Sequence, residues 1–188
     1  MSGRLVLASN SPRRQEILKA AGIPFEVRAP NIEEQRQTGE SPRDYVRRLA
    51  EHKALAVPMS DQEIVLAADT VVVVDEHVLE KPRDPDDAAR MLRLLSGRDH
   101  QVITGICLRT ARRTMVDHAV TKVHFVALTA SEIDTYVASG EPMDKAGAYA
   151  IQGLASRFID RVEGGYFNVV GLPISLVYRY LKDLGLAF

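Results

Sequence analysis

Six charged side chains in the first half of the chain are of the types that phosphate chemistry requires. Four are cations and two are carboxylates: Arg13, Arg14, Lys53, Lys81, Glu34 and Asp69. Cations clamp and neutralise phosphate groups, and carboxylates hold the hard divalent ions that accompany phosphates. The set therefore favours phosphoryl chemistry, provided that the fold brings these residues together.

Residues 4–14 predict a binding site for an anion. Residues 4–8 read as a short buried strand, a hydroxyl-rich turn follows, and Pro12 begins a helix capped by Ser11. The free N–H groups at the start of a helix attract phosphate, and Arg13 and Arg14 add two charged groups in the same turn. The alternative is that Ser11 only caps the helix while both arginines are solvated.

Two further charged residues stand at unusual positions in predicted elements. A helix beginning at Ser41-Pro42 carries Lys53 on or near its apolar stripe, where a lysine either snorkels to solvent or meets an anion. Residues 63–68 read as a buried strand that ends at Asp69. Open α/β sheets place ligand chemistry at such strand ends, which makes Asp69 a catalytic or metal candidate, with a structural turn or cap as the alternative.

A predicted hairpin follows this strand. Residues 71–74 continue as strand, a turn follows at 75–77, and the chain returns over 78–82. We expect the return to bring Lys81 back beside Asp69, where it would place a second ammonium group near the same pocket.

The segment 144–153 is too rich in small residues to be an ordinary strand. Small residues let the backbone approach a ligand closely. Gln152 offers both a donor and an acceptor, which suits it to reading the edge of a nucleobase.

The remaining hydrophobic patterns complete an α/β fold, and no repeat or linker interrupts the chain. We predict strands at 25–28, 100–109, 114–128 and 158–162, and helices at 12–21, 84–95, 131–138 (with Ser131 as cap) and 174–184. These elements indicate one domain over residues 1–188, with a central mixed sheet, flanking helices, and two lobes around a cleft that holds the site.

Composition narrows the classes of function. A net charge of −1 provides no global basic field for nucleic acid or an anionic membrane. One cysteine, Cys107, lies in an apolar run and is expected to be structural, which points to a reducing, cytoplasmic location. We find no signal peptide, membrane-spanning stretch, zinc signature, nucleophile elbow, Walker A loop or dinucleotide-binding motif.

Five blocks of sequence, in order along nearly the whole chain, resemble the Maf proteins. This family comprises nucleoside triphosphate pyrophosphatases that are also described as septum formation inhibitors. The blocks are Leu7-Ala8-Ser9-Asn10-Ser11-Pro12-Arg13-Arg14, Ala67-Ala68-Asp69-Thr70-Val71-Val72, Leu79-Glu80-Lys81-Pro82, residues 144–153 and Val169-Val170-Gly171-Leu172-Pro173. Arg13, Thr70 and the run from Tyr149 to Gly153 look like the branch that hydrolyses dTTP and UTP; a sister branch prefers 7-methyl-GTP.

The resemblance implies hydrolysis between the α and β phosphates, which releases a nucleoside monophosphate and pyrophosphate. It implies that Asp69 is the proton acceptor, which activates water either directly or through the metal, and that Glu34 helps Asp69 to bind the divalent ion, Mg²⁺ or Mn²⁺. By similarity, further residues of this chain are expected to bind the triphosphate and to select the base. The phosphate set is Ser9, Arg13, Arg14, Lys53 and Lys81, and the base set is Arg13, Thr70 and Gln152. A fold similar to that of the inosine triphosphate pyrophosphatases, and a homodimer, are also expected.

Two other classes of function remain open at this point. A nucleotide-binding regulator of division would use the same pocket without turnover, although a pure binder has little need for metal-holding carboxylates. A nucleic-acid-binding protein is disfavoured by the net charge and by the lack of an aromatic and basic surface.

Overall fold

A computed structural model describes residues 3–186 of the chain as a mixed α/β protein. The strands are β1 Arg4–Leu7, β2 Glu26–Val27, β3 Glu63–Val74, β4 His77–Leu79, β5 Asp99–Arg109, β6 Thr114–Phe125 and β7 Ile159–Glu163. The helices are α1 Pro12–Ala20, α2 Pro42–Leu55, α3 Pro85–Leu95, α4 Ala130–Ala138, α5 Tyr166–Val170 and α6 Ile174–Asp183. Three short 3-10 helices lie at Glu141–Asp144, Ala146–Ala148 and Leu154–Phe158.

The strands within the described residues form one mixed sheet. Their order is β2-β1-β3-β5-β6-β7, and β4 pairs with β3 beside this path. The strand β1 is parallel to both β2 and β3, whereas β4 is antiparallel to β3 and β7 is antiparallel to β6. The predicted α/β class with a central mixed sheet is therefore confirmed.

Local hydrogen bonds explain where two of the predicted helices begin. The Ser41 side chain accepts from the Asp44 N–H at the start of α2, and Asp84 does the same for Asp87 in α3. Each cap is followed by a proline in the first turn, whose missing N–H would have had no partner there in any case. These helices start where the sequence predicts.

Two predicted caps are wrong. The Ser11 side chain makes no cap hydrogen bond to α1, and its backbone N–H donates to Ser9 Oγ at 3.2 Å instead. The helix α4 is capped by Thr129 and not by Ser131, because Thr129 forms a reciprocal capping box with Glu132. The sequence does contain a signal for this start, since Thr129 stands three residues before Glu132, but the prediction of Ser131 did not use it.

Two predicted strand ends also need correction, and one helix was not predicted. The strand β3 continues through Asp69 to Val74, so the predicted end of the strand at Asp69 is wrong. The strand β6 ends at Phe125, three residues earlier than predicted. The segment before the last helix contains a short helix, α5, that the glycine-flanked sequence did not indicate.

The chain divides into two compact units, each with its own apolar core. Unit 1 contains residues 1–69, 104–119 and 171–188, and unit 2 contains residues 70–103 and 120–170. In unit 1, Val6, Val65 and Cys107 belong to one buried cluster, and burial raises the pKa of the Cys107 thiol to about 12. The predicted structural role of Cys107 agrees with this position.

The core of unit 2 contains most of the buried aromatic side chains. Residues from β3, α3, β6 and α4 pack there around Phe125, Tyr136 and Phe158. Within residues 3–186, no helix combines the length and the apolar character needed to cross a membrane.

Candidate functional site

The parallel pairing of β1 with β3 places two polar residues at one edge of unit 1. The pairing runs from Arg4 with Glu63 to Leu7 with Leu66, and the Ala8 N–H then donates to the Leu66 carbonyl at 2.7 Å. Ser9 and Asp69 are the first polar residues after this pairing ends. The carboxyl ends of parallel strands are where open α/β sheets bind ligands, so Asp69 occupies such a position even though β3 continues beyond it.

Lys53 comes from the buried face of α2 and meets two carboxylates. Its side chain is 8% exposed, and Nζ lies 2.7 Å from Asp69 Oδ1 and 2.9 Å from Glu34 Oε1. Asp69 is equally buried, with 9% of its side chain exposed, whereas the Glu34 side chain is 51% exposed. The lysine therefore meets anions, which is one of the two explanations that its position on the apolar stripe left open.

The structure distinguishes the neighbouring acids Glu33 and Glu34. Glu33 Oε1 accepts a hydrogen bond of 2.6 Å from Gln35 Nε2 at an exposed position. Glu34 approaches Lys53 and, through it, Asp69. Of the two acids, Glu34 is the one that lies beside the buried ion pair.

The turn after β1 is held by Arg14. Its Nη1 donates to Ser9 Oγ at 3.1 Å, and its Nε donates to the Gly171 carbonyl at 2.8 Å. Arg14 is thus fixed by the turn before its helix and by the loop before α6. The alternative in which both arginines are merely solvated does not apply to Arg14.

Electrostatic interactions connect Arg14 with the carboxylates. Burial lowers the pKa of the Arg14 guanidinium below its usual value, while the negative charges of Asp69 and Glu34 raise this pKa. Arg13 lowers it further, as a like charge close by must. We use the term site cluster for the five residues that these contacts bring together: Ser9, Arg14, Glu34, Lys53 and Asp69.

Unit 2 contains the other three predicted site residues, Thr70, Lys81 and Gln152. The predicted hairpin is confirmed, since β3 pairs with β4 from Val74 with His77 to Val72 with Leu79. Thr70 lies two residues before Val72 and Lys81 lies two residues after Leu79, the pair farthest from the turn. Both residues therefore lie at the open end of the hairpin. Lys81 is exposed there.

The segment 145–153 packs next to this hairpin within unit 2. The Gly147 N–H donates to the Glu80 carbonyl at 3.0 Å. Gly147 has a φ of +71°, and a Cβ on it would lie 2.7 Å from a methyl carbon of Val72. Glycine is required at this position for both reasons, and the close approach expected of small residues is thus made to the protein's own strand β3.

Comparison with known proteins identifies the family. Residues 4–184 match the family described as Maf-like protein. This chain belongs to the Maf-like protein family. A relative from Koribacter versatilis named dTTP/UTP pyrophosphatase is 50% identical over 182 residues, which is 96% of this chain and 94% of the relative. A relative of the same name from Vibrio cholerae is 51% identical over 173 residues, covering 91% and 92% of the two chains.

A solved structure supports the fold. The Ham1 protein of Staphylococcus aureus is 15% identical to this Maf-like chain, with a TM-score of 0.54 and coverage of 96% of this chain and 99% of that chain. At this identity the likeness concerns the fold alone. It agrees with the mixed α/β architecture described above.

The site cluster of this Maf-like chain has donors that suit a hard divalent cation. Among residues 3–186, no group of three or more His, Cys, Asp or Glu side chains could hold a metal ion. Mg²⁺ is commonly held by one or two carboxylates together with substrate phosphates, and Asp69 and Glu34 are two carboxylates that approach the same ammonium group. The donor set therefore fits an ion that arrives with a phosphorylated substrate and does not fit an ion enclosed by protein ligands alone.

Sequence reasoning missed the partners that hold the site residues in place. The Gly171 carbonyl fixes Arg14, and Tyr136 and Glu141 contact the segment around Gln152. No local pattern identifies these partners, because each contact joins residues that are distant in sequence or separated by an irregular turn.

Proposed function

We propose that this chain hydrolyses dTTP and UTP between the α and β phosphates, giving the nucleoside monophosphate and pyrophosphate. The observation that carries the proposal is the buried contact of 2.7 Å between Lys53 and Asp69, which lies beside Glu34 and Arg14. The chain is also about 50% identical to relatives named dTTP/UTP pyrophosphatase. A buried carboxylate among cations suits water activation next to a polyphosphate.

Asp69 is the proposed proton acceptor. Its Oδ1 accepts a hydrogen bond of 2.7 Å from Lys53 Nζ. The other carboxylate oxygen, Oδ2, is the proposed acceptor of the proton from the attacking water. Lys53 holds the carboxylate in place through Oδ1, so the accepting oxygen keeps a defined orientation.

The cations are proposed to hold the triphosphate and to stabilise its charge in the transition state. Arg14 is oriented in advance by Ser9 Oγ and the Gly171 carbonyl, so little side-chain freedom is lost when it meets a phosphate. Arg13 and Lys81 are proposed to complete the set. Because phosphoryl transfer is mostly positioning and charge stabilisation, loss of one cation should reduce the rate more than the stability, except at the buried Lys53.

Glu34 and Asp69 are the residues that would hold a divalent cation, Mg²⁺ or Mn²⁺. When bound, such an ion neutralises phosphate charge and promotes the formation of a nucleophile from water. Arg13, Thr70 and Gln152 are proposed to select the base, and Gln152 is exposed on its turn, where its amide is accessible to a ligand.

The test is to incubate the purified protein with each nucleoside triphosphate and Mg²⁺ and to measure pyrophosphate and orthophosphate separately. We expect pyrophosphate from dTTP and UTP. We also expect an Asp69→Asn variant to lose at least about 100-fold in kcat, the contribution typical of a proton acceptor. Asp99→Asn is the matched control, because Asp99 forms a comparable contact of 2.8 Å with Lys122 on an exposed surface.

Other outcomes would refute the proposal. Orthophosphate as product would place the cut elsewhere, and turnover of 7-methyl-GTP in preference to dTTP and UTP would assign the chain to the sister branch. Tight binding of dTTP without turnover of any nucleotide would favour a nucleotide-binding regulator of cell division. Full activity in Asp69→Asn would remove Asp69 from the mechanism.

We further propose that the enzyme acts in the cytoplasm as a homodimer on free nucleotides, without nucleic-acid or membrane partners. A single cysteine, Cys107, which is buried, offers no intramolecular disulfide and suits a reducing compartment. Sedimentation equilibrium of the purified protein tests the dimer, and fractionation of the source cells tests the location.

A further inference from the structure

One buried tyrosine and one glutamate hold both ends of the turn that presents Gln152. The Tyr136 hydroxyl donates to Glu141 Oε1 at 2.8 Å and accepts from the Ala150 N–H at 3.3 Å. Glu141 Oε2 in turn accepts from the Leu154 N–H at 3.0 Å. The two backbone groups that flank Gln152 in residues 150–154 are thus bound to a single Tyr–Glu pair.

The turn itself is shaped to receive the glutamate. The Gly153 N–H donates to the Ala150 carbonyl at 3.1 Å and so closes the turn. A Cβ on Gly153 would lie only 2.3 Å from Glu141 Oε2. The Glu141 carboxylate therefore packs directly against Gly153 and supports the turn that carries Gln152.

The two parts of this arrangement differ strongly in exposure. Tyr136 is fully buried and packs edge-on against Phe158, with ring centroids 5.5 Å apart. Burial, followed by the hydrogen bond to Glu141, raises the pKa of the Tyr136 hydroxyl well above its usual value, so the hydroxyl keeps its proton as a donor. Gln152, by contrast, is exposed. Buried side chains thus support a turn whose Gln152 amide is accessible to a ligand.

We propose that Tyr136 and Glu141 are positioning residues that hold residues 150–154 so that the Gln152 amide meets the nucleobase, which makes this pair a determinant of base selectivity. The inference rests on the proposed function, because it takes Gln152 to be a group that contacts the base. Fixing the turn in advance lowers the cost of ordering it when a nucleotide binds. Neither residue is needed for the proton transfer assigned to Asp69.

This division of roles predicts which kinetic constant changes. An interaction with the base contributes equally in the ground state and in the transition state, so its loss raises KM and leaves kcat almost unchanged. For Tyr136→Phe, which removes the hydroxyl that serves both Glu141 and Ala150, we expect a rise in KM for dTTP of about fivefold, the effect of roughly one hydrogen bond. The kcat for dTTP should remain within about twofold, and the ratio of kcat/KM between dTTP and dCTP should fall.

A matched control is available in unit 1. The Tyr180 hydroxyl donates to Asp117 Oδ2 at 2.8 Å, the same distance as in the Tyr136 pair. Tyr180→Phe removes an equivalent hydrogen bond from a tyrosine to a carboxylate, so it measures the loss of stability alone. We expect it to leave KM and base selectivity at wild-type values.

The glutamate supplies a test by conservative replacement. In Glu141→Gln the side-chain oxygen can still accept from the Leu154 N–H, whereas Glu141→Ala removes every contact of the carboxylate. We therefore expect Glu141→Gln to retain a KM closer to wild type than Glu141→Ala does. Equal effects of the two variants would contradict a positioning role for this carboxylate.

Amide hydrogen exchange tests the positioning without any turnover. We expect the Leu154 amide in Glu141→Ala, and the Ala150 amide in Tyr136→Phe, to exchange at least about tenfold faster than in wild type or in Tyr180→Phe. The inference is overturned if exchange at both amides is unchanged, or if Gln152→Ala abolishes base selectivity while Tyr136→Phe and Glu141→Ala preserve it. A wild-type protein that hydrolyses no nucleotide would refute the proposed function separately, since the exchange result does not depend on hydrolysis.

Discussion

Replacing Lys53 by methionine should destabilise the protein, because the change leaves the Asp69 carboxylate buried without its ammonium partner. The two side chains are 8% and 9% exposed, and Nζ lies 2.7 Å from Oδ1. Methionine keeps the length and the apolar stem of lysine, so the substitution removes the charge while preserving much of the packing of α2. The charge on Asp69 then decides the outcome.

The expected size follows from the burial of the pair. Removing one partner of a buried ion pair costs about 3–5 kcal/mol, because the remaining charge has lost its solvation without compensation. Arg14 still attracts Asp69 in the variant, so we expect the lower end of this range. Removing both charges in Lys53→Met/Asp69→Leu should recover most of the loss, because an apolar pair of similar volume has no charge to desolvate.

The assay is urea unfolding at neutral pH for the two single variants, the double variant and wild type, with the free energy of unfolding extrapolated to water. Lys122→Met is the matched control: Lys122 lies 2.8 Å from Asp99, but the two side chains are 42% and 37% exposed. For such an exposed pair we expect a loss of only about 0.2–1 kcal/mol.

A loss of stability in Lys53→Met no larger than that in Lys122→Met would show that burial of the ion pair does not determine its contribution. A loss in the double variant equal to the sum of the two single losses would contradict the prediction as well, since additive effects would mean that the two side chains do not interact.

Three further predictions concern other parts of the chain. Gly105→Ala should cost about 2 kcal/mol or more in urea unfolding, because its Cβ would lie 2.3 Å from the backbone oxygen of Val46, whereas Gly165→Ala meets atoms no closer than 3.6 Å and should cost far less. Burial lowers the pKa of His100 to about 4 from 6.5, so the unfolded chain takes up this proton first and the free energy of unfolding should fall as pH drops from about 6.5 to about 4. His100→Gln should lose this dependence and the exposed His77→Gln should keep it, and equal titrations of stability would contradict the assignment. Chelation with EDTA should reduce pyrophosphate release to less than about a tenth and added Mg²⁺ or Mn²⁺ should restore it; undiminished release would argue against the divalent ion.

Local chemistry explains the parts of the fold that could be predicted. The helices α2 and α3 begin with a capping side chain and a proline, and both signals lie within four residues of the start. The pairing of β3 with β4 follows from a short turn between two apolar runs. Such features depend on neighbours along the chain and are therefore visible in the sequence.

The errors arose where residue type or local hydrophobicity did not show which contact forms. Ser11 has the residue type of a cap, but its backbone N–H donates to Ser9 Oγ, which also accepts from Arg14. The strand β3 passes through Asp69, which lies between the residues that pair with β1, ending at Leu66, and those that pair with β4, beginning at Val72. The local break in hydrophobicity did not reveal that the strand continues. At Ser11 a competing side chain two residues away determined the outcome, whereas the course of β3 depends on strands from distant segments.

The sequence by itself determined the chemical types available, the α/β class, and the motifs that place this chain among the Maf-like proteins. Only the tertiary structure decided that Lys53 lies between Asp69 and Glu34, and that Tyr136 and Glu141 support the turn of Gln152. The physical reason is that burial and hydrogen-bond partners are properties of contacts between distant segments. Spacing along a strand or helix determines which face a side chain occupies, whereas the packing of other elements on that face determines what it meets.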